Sequence, residues 1–478
     1  MPVAKGDPTK DFFISMLTRD IELNDAILDL LDNCLDGVMR TVGTNKTKSE
    51  SVYKGYEAHI DISSKSFSIW DNCGGIPLHT AEEYAFRMGR PPGAAAAEKL
   101  PTVGIYGIGM KRAIFKIGLA ASVCSKTKDK EYCVYIPETW AQNNDNWNFE
   151  IKEEKVSLEK FGTKIVVTNV HQNIKEQWKG SELEAFLRLL RSRIREHYSF
   201  IIEKGFTVYV NNAKVENEPV KLLFSDKIGM RPYLYQTSIN GVEVSLAVGM
   251  SRSVPDSEEV DSILEGSADK RKSTNAGWTV ICNDRVVLYN DKSHLTGWGE
   301  AGVPHYHTQF IGIKGVVQFR SNDPSLLPMT TTKRGIDLSS AIYSAVRAKM
   351  REGTKLFTSY TNQWKGKEKE EKENIASKST AQAIDVKELL HPSTIIQTKY
   401  KNIKFSNRSG AQTSLPVLPK PKSDGPISKV IRFTKAYDEI KEVAAYLYDD
   451  PDISDFAPGN VGEECFQRVL KESRRKKK

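Results

Sequence analysis

A chain of 478 residues, 39% hydrophobic and 9% aromatic, has ordinary globular composition and length for two to four domains. No run of eighteen apolar residues occurs, and Met1–Lys10 lacks the apolar stretch of a secretory signal, which argues against membrane insertion and export and points to a cytoplasmic, or in a eukaryote nuclear, protein. The net charge of +8 is mostly a tail effect, because the last eight residues, KESRRKKK, hold six positive and one negative side chain.

Six cysteines, Cys34, Cys73, Cys124, Cys133, Cys282 and Cys465, are spread along the chain without a Cys-x-x-Cys pair, so neither a zinc site nor a disulfide framework is expected and the thiols read as reduced. His294, His305 and His307 are close in sequence but have no Cys or carboxylate at metal-ligand spacing.

Periodicity predicts a first helix from Asp20 to about Thr41, with Ile27, Leu28, Leu31, Leu35 and Val38 as its apolar stripe. Strand-like runs at Tyr56–Ile62 and Ser66–Asp71 read as a hairpin. A glycine-rich loop entering a helix covers Gly104–Gly118, and further strands are expected near Ala120–Ser125, Glu131–Ile136 and Thr163–Thr168. A helix near Ser181–Ile202 precedes strand-like runs at Phe206–Val210, Val242–Val248, Trp278–Leu288 and Phe310–Phe319, and another helix covers Ser339–Phe357. Lys365–Glu373 reads as a mixed-charge helix or a solvated segment and Lys404–Ser428, with four prolines, as a flexible linker. An amphipathic helix, Lys435–Tyr448, then presents Tyr437, Ile440, Ala444 and Leu447 on one face before the basic tail. The class is α+β.

Three segments carry the chemistry. Asp29, Asn33 and Asp36 share one face of the first helix; the face is either solvated or a site where Asn33 gives a hard oxygen to Mg²⁺ while Asp29 deprotonates water. Trp70 to Pro77, with Asp71 at a strand end followed by Gly74 and Gly75, is either a plain turn or a carboxylate placed to accept from a purine amine. Gly104-Ile105-Tyr106-Gly107-Ile108-Gly109-Met110-Lys111 enters a helix whose free N–H groups can cradle phosphate. It is neither a P-loop, because the lysine is one position late, nor a dinucleotide fingerprint, because Arg112 stands where the last glycine belongs.

In order, Asp-x-x-x-Asn, Asp-Asn-x-Gly-Gly-Ile, Gly-x-x-Gly-x-Gly and Phe161-Gly162-Thr163-Lys164 resemble the GHKL ATPases, the gyrase B, heat-shock chaperone, histidine kinase and MutL superfamily, over roughly Asp20–Val170. The resemblance implies a Bergerat-type ATP-binding α/β sandwich, ATP and Mg²⁺ as cofactors, Asn33 as the metal ligand, and Asp29 as the general base. Asp71, with Gly75 and Ile76 behind it and Thr163 as a second contact, would meet adenine; Asp36 and Gly104, Tyr106, Gly107, Ile108, Gly109, Met110 and Lys111 would line the phosphates; Leu78–Val103 would be the ATP lid. Two positions depart from the pattern: the base is usually Glu, and Cys73 replaces the first glycine of the adenine motif.

The later segment Leu327–Arg334 is similar to the transducer-lysine loop of the MutL and MORC branch, which makes Lys333 the expected γ-phosphate sensor; Asn283-Asp284-Arg285 on a transducer strand points the same way. The implied organisation is an ATP-binding domain over 1–203, an α/β transducer over 204–358, a charged helical segment over 359–403, a linker over 404–428 and a helix with basic tail over 429–478. The function implied is a slow ATPase working as a homodimeric clamp that closes on ATP, with DNA as client in DNA processing or defence and a partner effector held by the C-terminal helix. A chaperone-like ATPase on protein clients and a nucleotide-held interaction module are the alternatives.

Overall fold

The computed structural model describes residues 8–43, 51–89, 100–104, 107–144, 146–265, 275–330, 333–377, 382–421 and 434–476. The chain forms two compact units, Met1–Pro421 and Lys422–Lys478.

In the first unit, α1 (Lys10–Arg19) leads into α2 (Leu23–Val42). The apolar stripe of α2 is buried throughout, and so are Ala26, Leu30 and Cys34, because this helix is covered by protein on nearly all sides. An eight-stranded sheet lies behind it, built from β1 (Glu57–Ile62), β2 (Phe67–Asp71), β3 (Gly118–Lys126), β4 (Glu131–Ile136), β5 (Glu150–Glu153), β6 (Gly162–Val170), β7 (Thr207–Val210) and β8 (Ala213–Lys214). The order is β5-β4-β3-β6-β2-β1-β7-β8, and β1–β7 is its one parallel pair. The helices α2, α3 (Gly109–Ile117) and α4 (Gly180–Glu203) share a core with the inward side chains of this sheet, among them Ile60, Ile69, Val123 and Val167.

After the short β9 (Lys221–Phe224), the second sheet contains β10 (Tyr233–Ile239), β11 (Val242–Met250), β12 (Gly277–Cys282), β13 (Arg285–Asp291) and β14 (Ile313–Arg320). Its far edge is formed by β16 (Ser406–Arg408) and β17 (Ala411–Ser414), in the order β13-β12-β14-β11-β10-β17-β16. The helix α5 (Ala341–Gln363) buries Tyr343, Val346, Met350 and Phe357 against Val244, Leu246, Val317 and Phe319 on one face. Phe200 of α4 packs on the other face with Leu234, Ala247 and Val316, so a single helix serves both sheets. The architecture is α+β.

Several expectations are corrected. Cys124 and Cys133 form a disulfide rather than two thiols, because the β3–β4 hairpin registers them directly opposite each other, a pairing that linear spacing does not reveal. The strand Thr207–Val210 completes the first sheet instead of opening the second. The run Trp278–Leu288 is two strands, broken where Asn283 and Asp284 adopt positive φ. Within the proline-containing linker, 406–414 is a hairpin that extends the second sheet through β10, and Trp364 donates to the carbonyl of Pro419 at 3.3 Å; the remainder, 422–433, lies outside the described residues. Of the two readings of the charged run the helix holds: α6 (Glu368–Ser377) buries Glu371, which accepts from Tyr360 at 2.7 Å, and β15 (Gln382–Asp385) pairs with β9.

The second unit is a helical hairpin of α7 (Tyr437–Tyr448) and α8 (Pro458–Arg475) around Ala444, Leu447 and Val461. Tyr437 is exposed but stacks on Phe456. The start of the basic tail, Arg474 and Arg475, is the last turn of α8, where positive charge complements the helix dipole. No described helix is long and apolar enough to cross a membrane.

His197 of α4 lies between the two sheets with Nδ1 2.8 Å from the carbonyl oxygen of Val286. Burial, assisted by Arg285, pushes its pKa down to about 3. The unfolded chain takes up this proton near pH 6.5 and the folded chain does not, so acidification from pH 6.5 toward 3 favours unfolding. A urea series should show the wild-type midpoint falling across that window and a shallower fall for His197→Gln; equal slopes would contradict the assignment.

Candidate nucleotide site

The side chains singled out in the sequence converge on one cleft between α2, the exit of β2, the 104–109 loop and β6. Tyr106 alone falls outside the described residues.

At one end, Asp71 leaves β2 with its carboxylate turned into the cleft. Oδ1 accepts from Cys73 N at 2.7 Å and Thr163 N at 3.4 Å. Burial raises its pKa, and these two amides and the thiols of Cys34 and Cys73 oppose the rise. The turn after it requires glycine: Gly74 and Gly75 have φ of 99° and 75°, and a Cβ on Gly75 would sit 2.5 Å from the carbonyl oxygen of Lys126. Cys73 is accommodated in place of the expected glycine because its neighbours take the left-handed conformation and Gly37 of α2 gives it room: a Cβ there would come within 2.9 Å of Cys73 O. Ser125 and Tyr132 hold Ile76, the serine through both N and O and the tyrosine through O at 2.8 Å. Gly162 lets β6 run past, since a Cβ would be 1.8 Å from Asp71 O.

At the other end, Asp36 accepts from Val103 N at 2.7 Å and Gly104 N at 2.9 Å, so it anchors the loop. Gly107 has φ of 67°, and α3 starts at Gly109 with no side chain capping it, which leaves its first N–H groups directed at the cleft. Lys111 is buried and donates to the carbonyls of Ala85 and Gly107, tying the 78–85 segment to the loop. Leu78–Thr80 and Ala81–Ala85 are short helical turns, and 90–99 of the expected lid lies outside the described residues.

Asn33 sits between these ends; its buried Nδ2, a hydrogen-bond donor, has no partner and is free to meet a phosphate oxygen, while its Oδ1 is the one atom of the side chain able to face a cation. One neutral oxygen donor suits Mg²⁺, which keeps waters and substrate phosphates as its other ligands. Among the described residues no group of three His, Cys, Asp or Glu could hold a metal unaided. The donor set therefore fits Mg²⁺ carried with a polyphosphate.

Asp29, one turn before Asn33, is paired with Arg112 through Oδ2, while Lys333 reaches Oδ1 at 3.5 Å from the loop between β14 and α5. The Lys333 ammonium lies closer still to Asp32 Oδ2, at 2.9 Å. Asp32 Oδ1 accepts from Arg285 Nε at 2.9 Å and from Tyr198 OH at 2.5 Å, and the Arg285 guanidinium lies over the Tyr198 ring at 4.4 Å. Burial alone would raise the Asp32 pKa, yet Lys333 and Arg285 bring it below the ordinary carboxylate value. Burial likewise opposes the Lys333 charge, and Asp32, Asp29 and Asp36 outweigh it, so its pKa is raised. A tight loop presents this lysine at φ 57°, closed by Lys333 N to Thr330 O at 2.9 Å and Thr330 N to Gly335 O at 3.0 Å.

Sequence reasoning missed Arg112, Asp32, Arg285 and Tyr198. Arg112 had a signal, as the residue that breaks the dinucleotide pattern, and Asp32 another, one helical turn beyond Asp29. Tyr198 had none, and Arg285, although part of the Asn283-Asp284-Arg285 motif, carried no sign of contact with Asp32, since the two are 166 and 253 residues away from it.

Residues 21–172 match the family described as Histidine kinase-, DNA gyrase B-, and HSP90-like ATPase. The match covers α2 through β6 and so contains every feature of the cleft except Lys333 and its support. This stretch, about a third of the chain, is therefore similar to the ATPase domain of that family. No curated protein matches the chain.

Removing one charge from a buried, paired set leaves the others uncompensated, which costs about 3–5 kcal/mol. Asp32→Asn should destabilise the folded chain by about that amount in urea unfolding; a change of less than about 1 kcal/mol, typical of an exposed pair, would show the network to be solvated.

Proposed function

We propose that the chain binds Mg-ATP in this cleft and hydrolyses it to ADP and phosphate, with the second domain contributing to the reaction. The observation that carries the reading is Lys333, delivered from the second domain to within 3.5 Å of Asp29 at the phosphate end of a glycine-lined cleft.

The adenine amine donates to Asp71, with the Gly74–Gly75 turn letting the backbone approach the ring. The phosphates lie on the amides of the 104–109 loop and the start of α3. Asn33 would hold Mg²⁺, which supplies neutralisation of phosphate charge. Lys333 exchanges its carboxylate partners for the γ-phosphate, and Arg112 is placed to follow, which frees Asp29. Asp29 then takes a proton from the attacking water as its oxygen bonds to the γ-phosphorus and the bond to the β–γ bridging oxygen breaks. Because Asp is one methylene shorter than Glu, its reach to that water is reduced and turnover is slow.

Two protomers closing on ATP form a clamp in this reading, because only the triphosphate offers the group that draws Lys333 away from α2. DNA is the preferred client, supported by the basic end of α8 and the tail beyond it, and protein clients are the alternative. A nucleotide-held interaction module is favoured by one specific observation: both carboxylate oxygens of Asp29 are engaged by cations, Arg112 on Oδ2 and Lys333 on Oδ1, so neither is open to a water until those partners leave.

Phosphate release from Mg-ATP, with and without duplex DNA, tests this. Asn33→Ala should abolish Mg²⁺-dependent turnover, and Asp29→Asn should lower kcat by about 100-fold or more with nucleotide still bound. Turnover unchanged in Asp29→Asn would remove the base assignment, and tight binding without any phosphate release in the wild type would favour the interaction module.

A further inference from the structure

The turn between β12 and β13 is unusual in being buried. Asn283 and Asp284 have φ of 46° and 70°, the backbone of a two-residue hairpin turn, whose polar residues normally point into water. Here Asn283, Asp284 and Arg285 are all at most 3% exposed. Burying three consecutive polar side chains is costly unless each is fully engaged.

Each grips a different part of the nucleotide-binding domain. Asn283 Nδ2 donates to Thr102 O at 3.1 Å as well as to Ser321 O at 3.0 Å, and its Oδ1 accepts from Ser321 N at 3.0 Å. Thr102 immediately precedes Val103 and Gly104, whose amides are held from the opposite side by Asp36 of α2. The stem of the glycine loop is thus held from two sides, by Asp36 of α2 and by Asn283 of the β12–β13 turn. Asp284 accepts from Lys204 Nζ at 2.7 Å at the end of α4, from Gln318 Nε2 at 2.8 Å and from Tyr53 OH at 3.4 Å. Arg285 reaches Asp32 at 2.9 Å and so occupies the oxygen of Asp32 that Lys333 does not use.

We propose that the Asn283-Asp284-Arg285 turn is the joint that transmits nucleotide occupancy of the cleft to the second domain: Asn283 follows the stem of the glycine loop, Arg285 positions Asp32 and through it Lys333, and Asp284 supplies the fixed pivot. None of the three touches the nucleotide; they are positioning residues. Arg285 governs how firmly Lys333 is held, because a carboxylate shared with Arg285 and Tyr198 binds the ammonium through one oxygen instead of two. A ligand bound against Gly104 and the start of α3 bears on Thr102 O, two residues before Gly104, and the turn moves with it, carrying β12 and β13. Coupling between sites of this kind is typically 5- to 150-fold.

The inference rests on the nucleotide reading, so the experiment separates the two. Hydrogen exchange of the full chain is compared with Mg²⁺ and AMP-PNP, with Mg²⁺ and ADP, and without nucleotide, alongside a direct measurement of AMP-PNP binding. In the wild type, AMP-PNP should slow exchange across 277–291 at least about 5-fold relative to ADP. Asn283→Gly keeps a backbone that accepts positive φ and removes only the amide; it should still bind AMP-PNP while the protection of 277–291 falls to the ADP level. Asn240→Gly, at the exposed β10–β11 turn with φ of 48°, makes the same backbone change without that reach and should retain wild-type protection. Should Asn283→Gly not fold, Asn283→Asp retains the bond from Ser321 N and replaces the donor facing Thr102 O with an oxygen, with the same expected loss. Wild-type protection in a folded Asn283 variant that binds AMP-PNP, or nucleotide binding without any protection of 277–291 in the wild type, overturns the joint alone. Failure of the wild type to bind AMP-PNP overturns the nucleotide reading together with it.

Discussion

One buried carboxylate organises the region where the two sheets meet. Asp32, 1% exposed on a helix whose apolar stripe is leucine, isoleucine and valine, carries a charge whose desolvation costs several kcal/mol. That cost is met only because Arg285, Lys333 and Tyr198 converge on it from three distant segments. Each partner is itself a buried polar group that would be costly without Asp32. The set is therefore satisfied as a whole or not at all, and it fixes how the second sheet and its loops sit on α2 more tightly than apolar contact alone would.

The same network explains why the cleft holds its charged residues poised. Asp29 lies at the edge of the set, shared between Lys333 at 3.5 Å and Arg112. An incoming polyphosphate competes for both cations, and its own charge supplies what the carboxylates lose. Differential contact of this type is the requirement for a ligand to shift a conformational equilibrium. Asp36, by contrast, is bound to backbone amides and stays with the loop.

The sequence made the first domain legible because its signals are local. The apolar stripe of α2, the β1–β2 hairpin, the strand at Glu131–Ile136 and the glycine loop opening a helix each depend on residues within a turn or two of one another. Cleft residues were legible for the same reason, since one face of a helix, one strand end and one loop supply nearly all of them. What was hidden is long-range. Tyr198 reads as unremarkable, and Arg285 as one member of a strand motif, until folding brings both to Asp32, and Cys124 meets Cys133 only through strand register. The hairpin at 406–414 was hidden for a different reason: three flanking prolines at 416, 419 and 421 signal a linker, although the edge strand they follow needs few residues to pair with β10. The Asn283-Asp284 turn was read as strand because the apolar runs on both sides are continuous in character, and only positive φ at both residues separates them.

The central claim is that Lys333 leaves Asp32 and Asp29 for the γ-phosphate when nucleotide binds. A structure of the full chain with Mg²⁺ and AMP-PNP tests it most directly. The account predicts the Lys333 ammonium on a γ-phosphate oxygen, Arg285 still on Asp32, and Asp29 released toward a water in line with the γ-phosphorus. AMP-PNP bound in the cleft with Lys333 unmoved from Asp32 and Asp29 would contradict it.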